Sequence, residues 1–152
     1  MWRPMIHQDL KNVFLIADAI WGFEYHESYE SYEDKFLYYP QGCMVYEEDR
    51  KISGYIFWFP WKYGQPPALN TILDRTTPID SFFIHDIVLD DSFRGKGLSK
   101  IAIDKCLEHN KVVTLVAANR TLKTKDLWKH FGFVETDIEC DYGVYMLYKN
   151  HT

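Results

Sequence analysis

Cysteine is scarce in this 152-residue chain: Cys43, Cys106 and Cys140 are an odd set with no CxxC pair and no metal-type spacing. A disulfide framework is excluded, and reduced thiols of an intracellular protein are expected. Basic excess is missing as well. Lys and Arg number 17 against 22 Asp and Glu, for a net charge of −5, so no global field attracts nucleic acid or anionic lipid. No apolar run approaches the ~20 residues that span a bilayer, and the opening "MWRPMIHQDL" is interrupted by Arg3, Pro4, His7 and Asp9. A cytoplasmic protein with neither nucleic acid nor membrane as partner is the expectation. Repeats and low-complexity tracts are absent. So are GxxxxGK[ST] and GxGxxG, which removes the P-loop and dinucleotide-binding readings.

What is present is apolar and aromatic: 47% hydrophobic and 17% Phe, Trp and Tyr, enough for the core of one domain over residues 1–152. Leu10, Val13, Phe14, Ala17 and Ile20 recur at helical spacing, with Asp9 as N-cap. An acidic and aromatic segment, "EYHESYESYEDKFLYY", follows. Strands are predicted over "CMVYEE" and "ISGYIFWF", turned by "DRK". The stretch from Trp61 to Asp80 reads as a long loop. Beyond it come a buried strand, "FFIHDIVL", a helix, "LSKIAIDKCLEHN", with Leu98, Ile101, Ala102 and Cys106 on one side, and a strand, "VVTLVAA". Strand, crossover helix and strand predict a parallel pair. A short helix at "KDLWKHF", ended by Gly132, precedes strand candidates "FVETDIE" and "VYMLY". The class is α/β with a mixed sheet.

The stretch "HDIVLDDSFRGKGLSK" leads from strand to helix through glycines. Glycine lets backbone approach a ligand closely, and the amides of a helix's first turn favour an anion. Arg94 and Lys96 add cationic arms suited to phosphate. A phosphate-bearing ligand fits this turn.

"RGKGLS" resembles the R/Q-x-x-G-x-G/A motif of the GCN5-related N-acetyltransferases, with Arg94, Gly97 and Ser99 in the defining places. Ser99 departs from Gly or Ala but is still small. The similarity extends to the preceding strand, to Asn119, to "LWKHFGF" and to "RPMIHQDL". It implies a domain with a mixed sheet of about six to seven strands, splayed at the cofactor site and flanked by about four helices. It also implies acetyl-coenzyme A as cosubstrate and no metal. The backbone of Ile87, Val88 and Leu89 would pair with the pantetheine arm. The amides of Gly95, Lys96, Gly97, Leu98, Ser99 and Lys100 would hold the pyrophosphate, and Trp128 would pack near the cofactor arm.

Acetyl transfer needs a neutral amine. A Lys-like amine is neutral in only about one molecule per thousand at pH 7, a handicap of roughly 4 kcal/mol. Strand alternation puts His85 with Phe83 and Ile87 on one face, and Asp86 with Phe82, Ile84 and Val88 on the other. "IHDIVLDDSFRGKGLS" is similar, without gaps, to the spermidine/spermine N-acetyltransferase pattern of a Glu-Asp pair, a strand and Asp-aromatic-Arg-Gly-x-Gly. His85 stands for the Glu and Asp86 matches the Asp. The resemblance makes His85 a general base, directly or through water, and Asp86 a group that orients it or binds the acceptor.

Glu24, Glu27, Glu30 and Glu33, with Tyr25, Tyr29 and Tyr32, form an acidic aromatic lip suited to a di- or polyamine. Glu24, Glu27 and Tyr29 are its candidate acceptor ligands, with His85 and Asp86. Where many relatives carry Tyr in "FYxxxGF", this chain has Trp128, whose indole is no useful acid. Tyr142 and Tyr145 remain as acids, Tyr145 being the candidate catalytic residue; an unassisted thiolate is the alternative. The expected function is acetyl transfer to a small cationic amine. Protein lysine, N-terminal or amino-sugar acetylation stays open, as does a non-catalytic acyl-coenzyme A-binding module. A homodimer is compatible with all of these.

Overall fold

Helical spacing at the N-terminus becomes a helix because one stripe can be buried: Leu10, Val13 and Ala17 of α1 (Leu10–Trp21) are shielded from solvent. The computed structural model describes residues 1–108, 110–118 and 122–150. Asp9 sits at the N-cap position without capping. It has helical dihedrals, and its carboxylate instead accepts the Arg3 guanidinium at 2.8 and 2.9 Å and the Ile6 amide at 2.9 Å. The second helix, α2 (Tyr29–Tyr38), starts where Ser28 Oγ accepts the Ser31 amide.

Seven strands form one sheet: β1 (Trp2–Pro4), β2 (Cys43–Glu48), β3 (Lys51–Trp61), β4 (Ser81–Leu89), β5 (Val112–Ala118), β6 (Val134–Glu135) and β7 (Gly143–Lys149). Their order is β1-β2-β3-β4-β5-β7-β6, and β4 with β5 is the parallel pair. The crossover between those two is α3 (Leu98–Glu108); α4 (Leu122–His130) follows β5. The β2–β3 hairpin turns at Asp49 and Arg50, both with positive φ, which is the primed-turn geometry of a two-residue hairpin. "FVETDIE" contributes only the two residues of β6.

Two layers of core lie on the two sheet faces. α1 and α2 pack over Val45, Tyr55, Phe57 and Val88, while α3 and Trp128 of α4 pack over Ile56, Trp58, Ile84 and Leu89. On α3 the buried stripe is Ala102, Ile103, Cys106 and Leu107. Ile101, predicted to lie in it, is 48% exposed. Among the described residues no helix is long and apolar enough to cross a membrane.

Candidate active site

The parallel pair is short. β4 and β5 register only from Phe82 opposite Val113 to Ile84 opposite Leu115, although β4 runs on to Leu89 and β5 to Ala118. Beyond Ile84 the strands part, while β3 stays paired to β4 as far as Leu89. The backbone edge of Ile87 to Leu89 that faces β5 therefore has no strand partner among the described residues. A cleft of about 140 Å3 opens in the gap. Ile84 and Ile87, Leu115 and Val116, and Leu127 and Trp128 form an apolar part of its lining. Trp21, Tyr25, Leu69 and Tyr142 line it as well, together with Glu27, His85 and Asp86.

His85 and Asp86 reach this cleft from the same side of the sheet, which corrects the alternation argument. On β3, Phe57 faces Asp86 and Trp58 faces Ile84, so His85 is one residue too many in the ladder. Such a bulge reverses which residues point where. Upstream, Phe83 packs with Phe59 and Trp61, and His85 meets the rings of Tyr32, Phe57 and Phe59. Downstream, Asp86 and Val88 face α1 and its neighbours, leaving Ile84, Ile87 and Leu89 on the α3 side.

Both carboxyls of the site are buried, and their surroundings push them apart. Asp86 accepts the Tyr55 hydroxyl and, at 2.9 Å, the Trp21 indole N–H. Burial drives it up to about 6, against the opposing pull of His85 and of these donors. Burial acts on Glu27 in the same sense. There the charges of His85 and Lys35, with hydrogen bonds from His85 and the Asn70 amide, hold the carboxyl well below its usual range.

Asp86 therefore has a definite pH signature. Well below pH 4 both native and unfolded chains keep its proton. As pH rises to about 6 the unfolded chain gives the proton up while the native core retains it, so the contribution of Asp86 to stability falls across that window and is flat above it. Asp86→Asn keeps an oxygen for both donors. It is expected to gain on the wild type between about pH 4 and 6, by on the order of 3 kcal/mol at neutrality. Urea midpoints at the two ends of the window measure this, and a gap that does not change with pH would refute it.

The strand-to-helix turn is open. Gly95 and Gly97 have φ of 77° and 74°, and no atom lies within 4 Å of where a Cβ would stand on either. Among the described residues no hydrogen bond engages the amides of Gly95, Lys96 or Gly97. Arg94 bonds the Leu89 carbonyl through Nε and pairs with Asp91, and Lys96 Nζ lies 5.7 Å over the Phe93 ring. Trp2 Nε1 donates to the Leu98 carbonyl at 2.8 Å, and its ring meets Tyr46, which meets Phe93. These contacts brace the turn from β1 and β2. The free glycine amides, cationic arms and unpaired β4 edge fit a long ligand that carries both amide and phosphate groups.

The acidic lip divides. Glu24 is exposed and, with Asp141, borders an outer chamber of about 400 Å3 that shares Tyr25, Leu69 and Tyr142 with the cleft. Glu27 is buried and lines the cleft. Tyr29 is not on the cleft; it packs edge-on against Phe14, joining α2 to α1. Tyr32 is buried beneath His85, and Glu33 pairs with His7. Tyr145 does not line the cleft either. Its ring belongs to the cluster of Phe59, Trp61 and Phe83, and its hydroxyl accepts the Gly64 amide at 3.0 Å. Tyr142 is the tyrosine on the cleft wall, with its hydroxyl donating to the Pro67 carbonyl at 2.7 Å. Trp128 lines the apolar part, and Asn119 lies outside the described residues. Sequence reasoning missed Trp21, Tyr55, Lys35, Leu69 and Asp141. A signal for part of this was available: Ser28 as a helix cap would have put Glu27 just outside α2.

Residues 6–133 match the model of the acetyltransferase (GNAT) family, and the chain belongs to that family. It is an acyltransferase of the acetyl-coenzyme A-dependent, N-acetylating kind. No curated protein sequence matches it. Among solved structures, Ard1 from Thermoplasma volcanium is 20% identical, with a TM-score of 0.72 over 98% of this chain and 96% of that one. PaiA N-acetyltransferase from Thermoplasma acidophilum, in complex with coenzyme A, is 12% identical with a TM-score of 0.70, covering 99% and 98%. Naa50 from Arabidopsis thaliana, in complex with the bisubstrate analogue CoA-Ac-MVNAL, is 13% identical with a TM-score of 0.70, covering 99% and 97%. The shared fold spans differently named proteins and does not choose the acceptor.

Proposed function

We propose that the chain acetylates a primary amine of a small cationic acceptor such as a diamine or polyamine. The aromatic and acidic part of the cleft lining carries this reading: Trp21, Tyr25 and Tyr142 with the buried carboxyl of Asp86, and Glu24 with Asp141 on the adjoining chamber. Aromatic faces and carboxylates both attract ammonium groups. The loop of residues 62–80 crosses this part, tied down by the Tyr142–Pro67 bond and by the Asn70 amide on Glu27. That favours a short acceptor over a chain that needs an open groove.

In this reading His85 is the base, taking the ammonium proton on its cleft-facing nitrogen, and Asp86, fixed by Tyr55 and Trp21, steers the incoming amine. Tyr142 Oη holds a proton on the facing wall. Acetyl-coenzyme A would be held by the peptide groups of Ile87, Val88 and Leu89 and by the amides from Gly95 through Gly97 and Leu98 to Ser99 and Lys100. Arg94 and Lys96 would serve as cations there, and Trp128 as an apolar wall. When bound, it supplies an acetyl group activated as a thioester.

A panel of acceptors tests the proposal. A diamine is expected to exceed a monoamine of equal length in kcat/KM, with an advantage that shrinks as salt screens Glu24 and Asp141. The likeness to Naa50 with its peptide-bearing analogue favours one second reading, an N-terminal peptide acceptor. Peptides outperforming every small amine would establish that reading and overturn the first.

A further inference from the structure

Lys35 is buried beside the cleft, with its side chain 1% exposed, and a lone ammonium there would be costly. It is not alone. Its Nζ donates to Ser31 Oγ at 2.8 Å and lies 3.6 Å from Glu27 Oε1. Ser31 Oγ in turn donates to Glu27 Oε1 at 2.9 Å, and the Asn70 amide donates to the same oxygen at 3.0 Å. Asn70 adopts a left-handed conformation, φ 56°, and its side-chain oxygen accepts the Ser28 amide. One carboxylate oxygen is thus fixed by two hydrogen bonds and a cation. The other, Oε2, has a single hydrogen-bond partner among the described residues: His85 Nε2, at 2.7 Å.

We infer that Glu27 is a positioning residue for His85 and not an acceptor ligand. An ionised carboxylate can only accept, so the contact requires Nε2 to carry hydrogen and leaves the lone pair on Nδ1. His85 makes no second hydrogen bond among the described residues, and none of them has a buried side-chain nitrogen or oxygen without a partner. Nδ1 is therefore not sealed in the core; it opens on the cleft that His85 lines. An ammonium N–H that gives its proton to Nδ1 leaves a neutral amine and an imidazolium whose charge is paired at once with Glu27. The proton returns to solvent through the cleft mouth. Lys35 and the Asn70 amide keep Glu27 ionised and aimed. The titratable groups around the ring are Glu27 from the α1–α2 loop, Lys35 and Tyr32 from α2, Asp86 on β4 with Tyr55 of β3 behind it, and Tyr142 on the cleft wall.

The inference rests on His85 being the base, and the two can fail separately. With the best acceptor of the panel, Glu27→Gln in the whole enzyme is expected to lower kcat by about 10- to 100-fold, the scale on which loss of the carboxylate behind a metal-bound histidine is felt. It should also move the lower limb of the kcat/KM profile to lower pH, because the imidazolium loses its partner. Acceptor KM and coenzyme A binding should stay within about twofold. A tenfold rise in acceptor KM with kcat and limb unchanged would make Glu27 an acceptor ligand and overturn the inference. Lost thermal stability with the limb in place would reduce it to a structural residue, also overturning it. If His85→Gln alters the profile but Glu27→Gln does not, positioning alone fails; if neither does, the base assignment fails with it. Should Glu27→Gln not fold, 15N spectra of the wild-type histidine side chains, assigned by the signal lost in His85→Gln, decide the matter. Hydrogen on Nε2 is expected; hydrogen on Nδ1 overturns the inference.

Discussion

Gly97→Asp is expected to lower coenzyme A affinity by at least about 100-fold, near 3 kcal/mol, while leaving the fold intact. The fold should survive because the Cβ meets nothing within 4 Å and because Asp is among the residues that tolerate a positive φ such as the 74° found here. Binding should not survive. The amides of Gly95, Lys96 and Gly97 carry no hydrogen bond among the described residues, and a carboxylate placed among them takes up the donors and repels a pyrophosphate. Gly97→Asn separates charge from shape, since it brings nearly the same bulk with no charge and should cost much less. Titration calorimetry on the three proteins measures the effect. An unchanged dissociation constant for Gly97→Asp would move the cofactor away from this turn.

His85→Gln is expected to be the most damaging change to the chemistry, lowering kcat by about 100- to 1,000-fold, within the range general base catalysis supplies. The reason is a conflict inside the acceptor pocket. Carboxylates that draw in an ammonium also stabilise its charged form, so the stronger the attraction, the harder the proton is to remove. A neutral imidazole facing the amine resolves this, since it can accept a proton without adding to the negative field. Its loss should erase the lower limb of the pH profile, with acceptor KM little changed and coenzyme A binding intact. Wild-type rate and profile in the variant would return proton removal to water or to Asp86.

The open strand-to-helix turn was legible in the sequence because its cause is local. Glycines between a strand and a helix fix an open turn whatever the rest of the chain does, and the β4–α3–β5 order sets the parallel pair. The surroundings of His85 were not, because their causes lie far apart in the chain. Glu27 meets His85 across 58 residues, and Lys35 occupies a helix position that reads as a solvated charge until the 62–80 loop covers it. Asp86 changes face through a bulge, and the bulge depends on the register of Phe57 and Trp58 on the neighbouring strand. Tyr145 was preferred to Tyr142 without knowing where β7 begins, and it is Tyr142 that lines the cleft. That strand begins at Gly143, where a Cβ would stand 2.2 Å from the Ala117 carbonyl oxygen, a closeness that only the folded pair of strands imposes.

The extra residue at position 85 also makes the pairing of His85 with Asp86 poorly transferable. A regular strand presents neighbouring side chains to opposite layers, so an imidazole and a carboxylate adjacent in sequence do not face the same layer. Here they do, because β3 skips His85 between Phe57 and Trp58. Moving residues 82–89 into another sheet would carry the two functional groups but not their shared orientation; a graft would have to bring the facing stretch of β3 with it. Conversely, deleting a single residue at the bulge would restore strict alternation and turn one of the pair toward α3, dismantling the site without changing the identity of any side chain that remains.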